Sequence, residues 1–258
     1  KPIIAVINQL DSEKASWEAS LDSIRAASQV TPVVVQYPVN PGPDFNAFID
    51  VLLMKMYKFK GDTGIREELD IPAEEMERAT ELNRILTEAA AENDEALMEL
   101  YFEKGVLTQD ELRSGLKLGL AKRDLIPVFC ASGKRDIGAK RLMEFIINVA
   151  PGPLKAPNFV TVDGREIEPD SNGPTALFVF KTTVEPHLGE VTYFRVVSGK
   201  VTEGMELVNS KTGNKEKISQ LFAVAGKNRV KVTEMMAGDI GCTVKLKGTR
   251  TNQTLSTP

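Results

Sequence analysis

A short polar sequence, Asn-Gln-Leu-Asp at residues 8–11, directly follows an apolar run at residues 3–7. A continuous β-branched run is typical of a parallel strand covered on both faces, and ligands of open α/β sheets bind at the carboxyl ends of such strands. A carboxylate there can accept two hydrogen bonds from paired N–H donors, such as N1 and N2 of guanine, and adenine lacks that pair. Asn8, Gln9 and Asp11 are therefore candidate purine-binding residues, although Asn-x-x-Asp is also a common turn sequence.

A second polar loop, Ser132-Gly133-Lys134, follows the predicted strand at residues 126–131. It matches the small-residue loop in which guanine-binding domains donate a backbone amide to O6, and glycine still offers that amide. Alone, small residues after a strand usually make an ordinary βα turn. In this order, however, the two loops together favour a guanine pocket, and we expect the ends of two neighbouring strands to meet there.

The elements that would position these loops form an α/β pattern. After the first strand, the sequence predicts a helix at 12–29 and a strand at 33–37, and the pattern resumes with the strand at 126–131 and a helix at 139–149. Because a chain rarely begins with its central strand, we expect earlier strands of the sheet to lie outside these residues. Residues 44–121 are interpreted as an insertion within that sheet.

The predicted insertion is mostly acidic amphipathic helix. An alternating stretch around residues 54–58 suggests one strand, and apolar residues at helical spacing over 76–89 predict a helix. A second helix is expected to stop at Gly105, and Thr108 with Glu111 has the spacing of a capping box for a third. Its acidic face is most simply a solvated surface.

The rear of the chain lacks helical periodicity. A proline-bounded linker is predicted at 152–173, followed by short strands that alternate with glycine turns over 174–258, a pattern typical of a closed β-barrel. The expected organisation comprises an interrupted α/β domain (1–43 and 122–151), the α-rich insertion (44–121), the linker (152–173) and the barrel (174–258).

Composition sets limits on location and chemistry. The net charge of -4 combines 18 Lys and Arg against 25 Asp and Glu in residues 1–151 with 12 against 7 in residues 174–258, so the rear is better suited to a phosphate backbone. No apolar run reaches the roughly 18 residues of a membrane span, so we expect a cytoplasmic protein without membrane contact. Two distant cysteines, Cys130 and Cys242, and a single histidine, His187, show no metal-ligand spacing.

Three sequences in the rear half make a resemblance specific: residues 194–204 (Phe-Arg-Val-Val-Ser-Gly-Lys-Val-Thr-Glu-Gly), 237–241 (Ala-Gly-Asp-Ile-Gly) and 254–255 (Thr-Leu). They resemble domain II of elongation factor G. Residues 127–130 and 138–153 resemble the end of its G domain, and the insertion resembles its inserted subdomain. The implied fold class is α/β, the distal part of a P-loop GTPase domain with an α-rich insert, followed by an all-β translation-factor barrel.

This resemblance implies a fragment of a translational GTPase that promotes ribosomal translocation. The implied ligand is GTP or GDP, held through the base by Asn8, Asp11 and Ser132. The implied partners are small-subunit ribosomal RNA at the barrel, where Lys227, Arg229 and Lys231 cluster, and the large-subunit stalk protein at the insertion. His187 is expected to be a loop residue rather than a catalytic one.

Phosphate chemistry has no recognisable residues in this sequence. No G-x-x-x-x-G-K-[ST] occurs, and the phosphates and Mg²⁺ therefore have no cradle. The intact protein resembles a GTPase, but these 258 residues are expected to be inactive in hydrolysis and to bind nucleotide weakly. Whether the protein is an enzyme is left open.

Two residues depart from the family pattern. Gln9 replaces a lysine whose stem covers the base and whose ammonium braces the phosphate loop, and Gly133 replaces an alanine. We expect weaker guanine binding as a result. A ribosomal protection or release-factor GTPase, or a ribosome-binding factor with impaired GTP turnover, remains an alternative.

Overall fold

The computed structural model describes residues 2–155, 157–186, 189–226 and 228–257, which divide into two compact units, Lys1–Pro151 and Gly152–Pro258. The elements of the front unit are β1 (Ala5–Ile7), α1 (Trp17–Ala27), β2 (Thr31–Val34), β3 (Gln36–Pro38), β4 (Ala47–Asp50), β5 (Lys55–Phe59), β6 (Arg66–Leu69), α2 (Ala73–Ala91), α3 (Glu95–Lys104), α4 (Gln109–Lys122), β7 (Leu125–Cys130) and α5 (Ala139–Val149).

The front unit is built on a parallel sheet in the order β1-β7-β2. Ile7 lies opposite Cys130 and Val34 lies opposite Val128, so all three strands end at one edge. The sheet's apolar residues are packed by helices, with Phe129 of β7 and Phe145 of α5 meeting edge to face at 4.8 Å between ring centroids. The apolar run at 3–7 and the strand predicted at 126–131 correspond to β1 and β7, whereas the single strand predicted at 33–37 is wrong, because it is divided between β2 and β3 of two different sheets.

The chain passes from this sheet into a second one at Val35. The Val35 amide donates to the Val128 carbonyl (2.9 Å), and the Val35 carbonyl accepts from Val51 (2.9 Å). The second sheet is antiparallel, in the order β3-β4-β5-β6. Residues 44–121 thus hold three strands before their helices, and the suggested strand around residues 54–58 corresponds to β5.

Helix ends follow the capping chemistry of the sequence. Thr108 and Glu111 form both bonds of a capping box, and Gly105 closes α3 with a left-handed backbone (φ 70°). Helix α1 is shorter than the expected 12–29, because the Ser16 hydroxyl caps it by accepting from the Ala19 amide (3.3 Å).

The rear unit is antiparallel throughout. Its elements are a short 3₁₀ helix (Pro153–Lys155) and the strands β8 (Phe159–Val160), β9 (Glu166–Ile167), β10 (Ala176–Glu185), β11 (Gly189–Ser198), β12 (Lys200–Thr202), β13 (Glu206–Asn209), β14 (Lys215–Lys217), β15 (Leu221–Ala225), β16 (Asn228–Val232), β17 (Glu234–Met236), β18 (Ile240–Val244) and β19 (Gln253–Ser256).

Eight of these strands form one sheet, in the order β14-β13-β19-β10-β11-β18-β15-β16, and β12 pairs with β17 in a second. Val201 of β12 and Met235 of β17 are buried in the same apolar cluster as Phe194 of β11, so both sheets cover one core. The fold class is a mixed α/β unit followed by a large antiparallel β domain, as predicted. The hairpin β8-β9 lies within the residues assigned to the linker.

In the described ranges, no helix is both long and apolar enough to cross a membrane. The same ranges contain no group of three or more His, Cys, Asp or Glu side chains arranged to hold a metal ion. Cys130 and Cys242 are unpaired and buried, as expected for small core residues.

Candidate functional site

The two candidate loops lie side by side at the carboxyl edge of the parallel sheet. The Ala131 amide donates to the Ile7 carbonyl (2.9 Å), and the Leu10 amide donates to the Ala131 carbonyl (3.3 Å). The pairing of β1 with β7 therefore continues past the strand ends into both loops. The expectation that the two loops meet is confirmed.

A direct contact joins the loops at Asn8. The Gly133 amide donates to Asn8 Oδ1 (2.9 Å), and both residues are exposed. This is the amide that was expected to donate to guanine O6. A base bound here would therefore have to take the amide from Asn8, whose side chain would be freed to turn its NH₂ group toward the base.

Asp11 faces the second loop through Ser132. The pKa of the Asp11 carboxyl group is lowered, chiefly by a hydrogen bond with the Ser132 side chain, against a smaller opposing effect of desolvation. Its own backbone amide and the positive charges of Lys134 and Arg135 lower this pKa further. At neutral pH the group is consequently an ionised acceptor.

Ser132 is itself fixed by its backbone. It exchanges two hydrogen bonds with Ile137, both 3.0 Å, and its hydroxyl oxygen accepts from the Arg135 amide (3.3 Å). Gly138 then starts α5 with φ 87°, where a Cβ atom would lie 2.6 Å from the Cys130 carbonyl oxygen, so only glycine fits the turn. The loop is a tight bridge between β7 and α5.

Gln9 and Gly133, the two departures from the family pattern, differ in their local constraints. Gln9 is exposed and has a left-handed backbone (φ 61°), which the sequence did not signal. Gly133 has no such requirement, since a Cβ atom there would lie 3.7 Å from Asn8 Oδ1, an ordinary contact. Alanine would therefore fit at 133 without rearrangement.

Behind the loops, a buried ion pair ties α5 to the antiparallel sheet. Arg141 Nε donates to Asp50 Oδ2 at 2.6 Å, with both side chains almost inaccessible to solvent. Asp50 also accepts from Gln36 Nε2 (3.2 Å) and from the Leu53 amide (2.9 Å). A buried carboxylate with these partners holds the helix that carries the second loop.

Arg135 is a loop residue that sequence reasoning missed. Its guanidinium reaches Asp62 and the backbone of residues 43–45, all distant along the chain. No local pattern could have found it, because its partners are separated from it by 73 to 92 positions.

The basic cluster predicted for RNA contact is largely neutralised where it is described. Arg229 Nη2 pairs with Glu185 and lies 2.8 Å from the Tyr193 hydroxyl, and Lys231 Nζ lies 3.0 Å from Glu203. The hydrogen bond from Arg229 lowers the pKa of Glu185. Lys227 and His187 lie outside the described residues.

Comparison with known proteins gives two findings. A family model, Elongation factor G domain 2, matches residues 174–258. A crystal structure of ttk003000868 from Thermus thermophilus aligns with 100% of this chain at a TM-score of 0.82 and 27% sequence identity. The chain spans 36% of that protein's length. The two matches show that residues 174–258 are similar to domain 2 of elongation factor G and that the chain shares its fold with the Thermus protein.

The domain 2 match explains the glycines of the rear unit. In the sequence at residues 194–204, Gly199 has φ 70°, and a Cβ atom there would lie 2.6 Å from Thr175 Cα. The turn between β11 and β12 therefore needs glycine for both its backbone angle and its close approach. Gly199, one of the residues that carried the resemblance, is thus required by the fold.

Proposed function

We propose that this chain is the base-reading and barrel portion of an elongation factor G-like translational GTPase, a cytoplasmic factor that binds GTP or GDP and promotes ribosomal translocation. The domain 2 match at residues 174–258 supports the class. The observation that carries the guanine assignment is the meeting of the two loops, with the Gly133 amide bonded to Asn8 Oδ1 (2.9 Å).

The chemistry of these groups fits guanine. The ionised Asp11 carboxylate accepts hydrogen bonds from N1–H and N2–H of guanine. The Gly133 amide donates to O6, and the Asn8 side chain donates to N7. Adenine presents an amino group at the position of O6 and lacks the paired donors, so it leaves these groups unsatisfied at roughly 1–3 kcal/mol each. Gln9 and Lys134 flank the base edge without a required contact.

Hydrolysis is not assigned to these residues. The sequence contains no phosphate-binding loop, and we assign none of its residues to the phosphates or to Mg²⁺. The role proposed for this chain is selection of the base. The difference between the GTP-bound and GDP-bound states would be transmitted to the ribosome by the intact protein.

We assign a contact with ribosomal RNA to the barrel, and the ion pairs of Arg229 and Lys231 favour other lysines for it. Lys217, Lys245 and Lys247 are exposed and, within the described residues, form no ion pair shorter than 4.0 Å. Unpaired cations can release counterions from a phosphate backbone without first breaking a salt bridge. We assign the RNA contact to these three residues.

Base selection is tested by changing Asp11 to asparagine. GMP, AMP and XMP are titrated into the isotope-labelled chain while the amide signals of residues 8–11 and 133 are followed. Wild type should prefer GMP. Asp11→Asn should lose affinity for GMP by about 10- to 100-fold and gain XMP, because the asparagine NH₂ can donate to the xanthine O2.

The matched control is Asp22→Asn, an exposed aspartate on α1 that pairs with Arg25. It should leave all three titrations unchanged. Equal responses of wild type to GMP and AMP, or a GMP affinity that Asp11→Asn does not alter, would contradict guanine recognition by these loops.

A further inference from the structure

A four-residue segment, residues 42–45, lies against both base-binding loops and is named the strap. The Gly42 amide donates to the Leu10 carbonyl of the first loop (2.7 Å). Arg135 of the second loop donates through Nη1 to the Pro43 carbonyl (3.1 Å) and to the Phe45 carbonyl (3.0 Å). The two loops are therefore bonded to one common segment as well as to each other.

The strap is a rigid anchor. Phe45 is fully buried, and its amide donates to the Gly42 carbonyl (2.9 Å). Asn40 holds the same segment from behind, since its Nδ2 donates to the Asp44 carbonyl (2.7 Å) and its Oδ1 accepts from the Ala47 amide (3.2 Å). A loop fastened to the strap is consequently fixed relative to the sheet.

Arg135 is suited to this fastening because of its geometry. One guanidinium reaches two backbone carbonyls through Nη1 and the Asp62 carboxylate through Nε (2.7 Å). A lysine ammonium in its place would keep the charge but lose the planar fork. The side chain is only 22% exposed, whereas Asp62 is 60% exposed, so the carbonyl bonds matter more than the ion pair.

We propose that Arg135 is the positioning residue of the base site, holding the second loop on the strap at the spacing guanine requires. This inference rests on the proposed function. Ser132, whose hydroxyl accepts from the Arg135 amide (3.3 Å) and whose side chain lowers the pKa of Asp11, links the fastened residue to the acceptor of the base. The strap also connects the site to the antiparallel sheet, since it leads directly into β4 (Ala47–Asp50).

The test compares Arg135→Met, Arg135→Lys and Asp62→Asn in the labelled chain titrated with GMP and AMP. Arg135→Met should weaken GMP binding about tenfold and reduce the GMP-to-AMP preference, because loop spacing, rather than the amount of folded protein, has changed. Arg135→Lys should recover part of the affinity. Asp62→Asn, which removes only the exposed ion pair, should have a small effect.

Two further readouts separate positioning from folding. Hydrogen exchange of the Gly133 amide, which is bonded to Asn8, should speed up in Arg135→Met, while the melting temperature should shift little. The matched control is Arg113→Met, an α4 arginine that bonds to its helix neighbours Asp110 and Gln109. It should change neither the exchange rate nor the GMP preference.

The outcomes distinguish the two proposals. If wild type shows no preference for GMP over AMP, the proposed function is wrong and the positioning role falls with it. If wild type prefers GMP and Arg135→Met does so equally, with unchanged Gly133 exchange, only the positioning role is overturned. An equal loss of GMP affinity in Asp62→Asn and Arg135→Met would contradict the role of the planar guanidinium, since the ion pair alone would then explain the effect.

Discussion

Each unit of this protein contains a loop fastened by one charged side chain, and the two fastenings differ in burial. In the front unit, Arg135 reaches out of its own loop to the strap and remains partly exposed. In the rear unit, Glu216 is 2% exposed and accepts from the Lys247 amide (2.9 Å), the Gly248 amide (2.8 Å) and the Thr249 hydroxyl (2.9 Å).

The burial of each charged side chain determines which measurement should detect its removal. Removing Glu216 would leave three donors unpaired away from water, and that cost appears as reduced stability. Removing Arg135 would expose its partners to solvent at a surface site, so the change appears mainly in loop position. The comparison teaches that a charged side chain affects mainly stability when it is fully buried and mainly site geometry when it is partly exposed.

The largest expected effect is that of Glu216→Ala. Loss of three hydrogen bonds at a buried position should lower the free energy of unfolding of the rear unit by roughly 2–4 kcal/mol. Urea unfolding of the 258-residue chain measures the change. Glu206→Ala is the control, because Glu206 is exposed and pairs with Lys215 (2.9 Å), and its loss should cost less than about 1 kcal/mol. Equal costs would contradict the role of burial.

Glu216 also lies beside lysines that we assign to ribosomal RNA. Changing those lysines to glutamate should have the next largest effect. Glu216 accepts a hydrogen bond from the Lys247 amide, and Lys217 directly follows Glu216 in the sequence. Changing Lys217, Lys245 and Lys247 to glutamate should weaken binding to small ribosomal subunits. The slope of the logarithm of the binding constant against the logarithm of salt concentration should become less negative by about 0.7–0.9 for each phosphate that is no longer neutralised.

The control for that experiment reverses three paired lysines instead. Lys200, Lys215 and Lys231 each lie within 3.2 Å of a glutamate. Reversing them makes the same change in net charge, so a general attraction would flatten the salt slope equally. A specific contact predicts a smaller change in the control, and equal slopes would count against the assigned lysines.

The sequence was informative where chemistry and local pattern coincide. Asn8, Asp11 and Ser132 could be placed because each lies in a loop that follows a recognisable strand, and parallel strands bring their ends together. The capping box at Thr108 and the helix end at Gly105 were predicted for the same reason, since their hydrogen bonds form within a few residues.

What the sequence could not reveal depends on distant partners. The pairing of Arg229 with Glu185 spans 44 positions, so a cluster that reads as a basic patch is in fact partly neutralised. Glu216 sits in a three-residue strand between lysines, where nothing local marks it as buried. The edge strand β6 carries charged residues and lacks a clear alternation, which hid it as well.

The smallest expected effect concerns Gln9. It tests how far a single substitution in the first loop can raise the affinity for GMP. Gln9→Lys introduces a longer stem and a positive charge at an exposed position whose left-handed backbone is equally unfavourable for either residue. Affinity for GMP should rise about two- to fivefold, since interactions at an exposed charge are worth roughly 0.2–1 kcal/mol. Ser12→Lys adds the same charge to an exposed residue just past the loop and should give a smaller gain. If the two variants gain equally, the effect is general attraction to phosphate. If Gln9→Lys gains nothing, in this chain and in the intact factor, glutamine at this position does not weaken guanine binding.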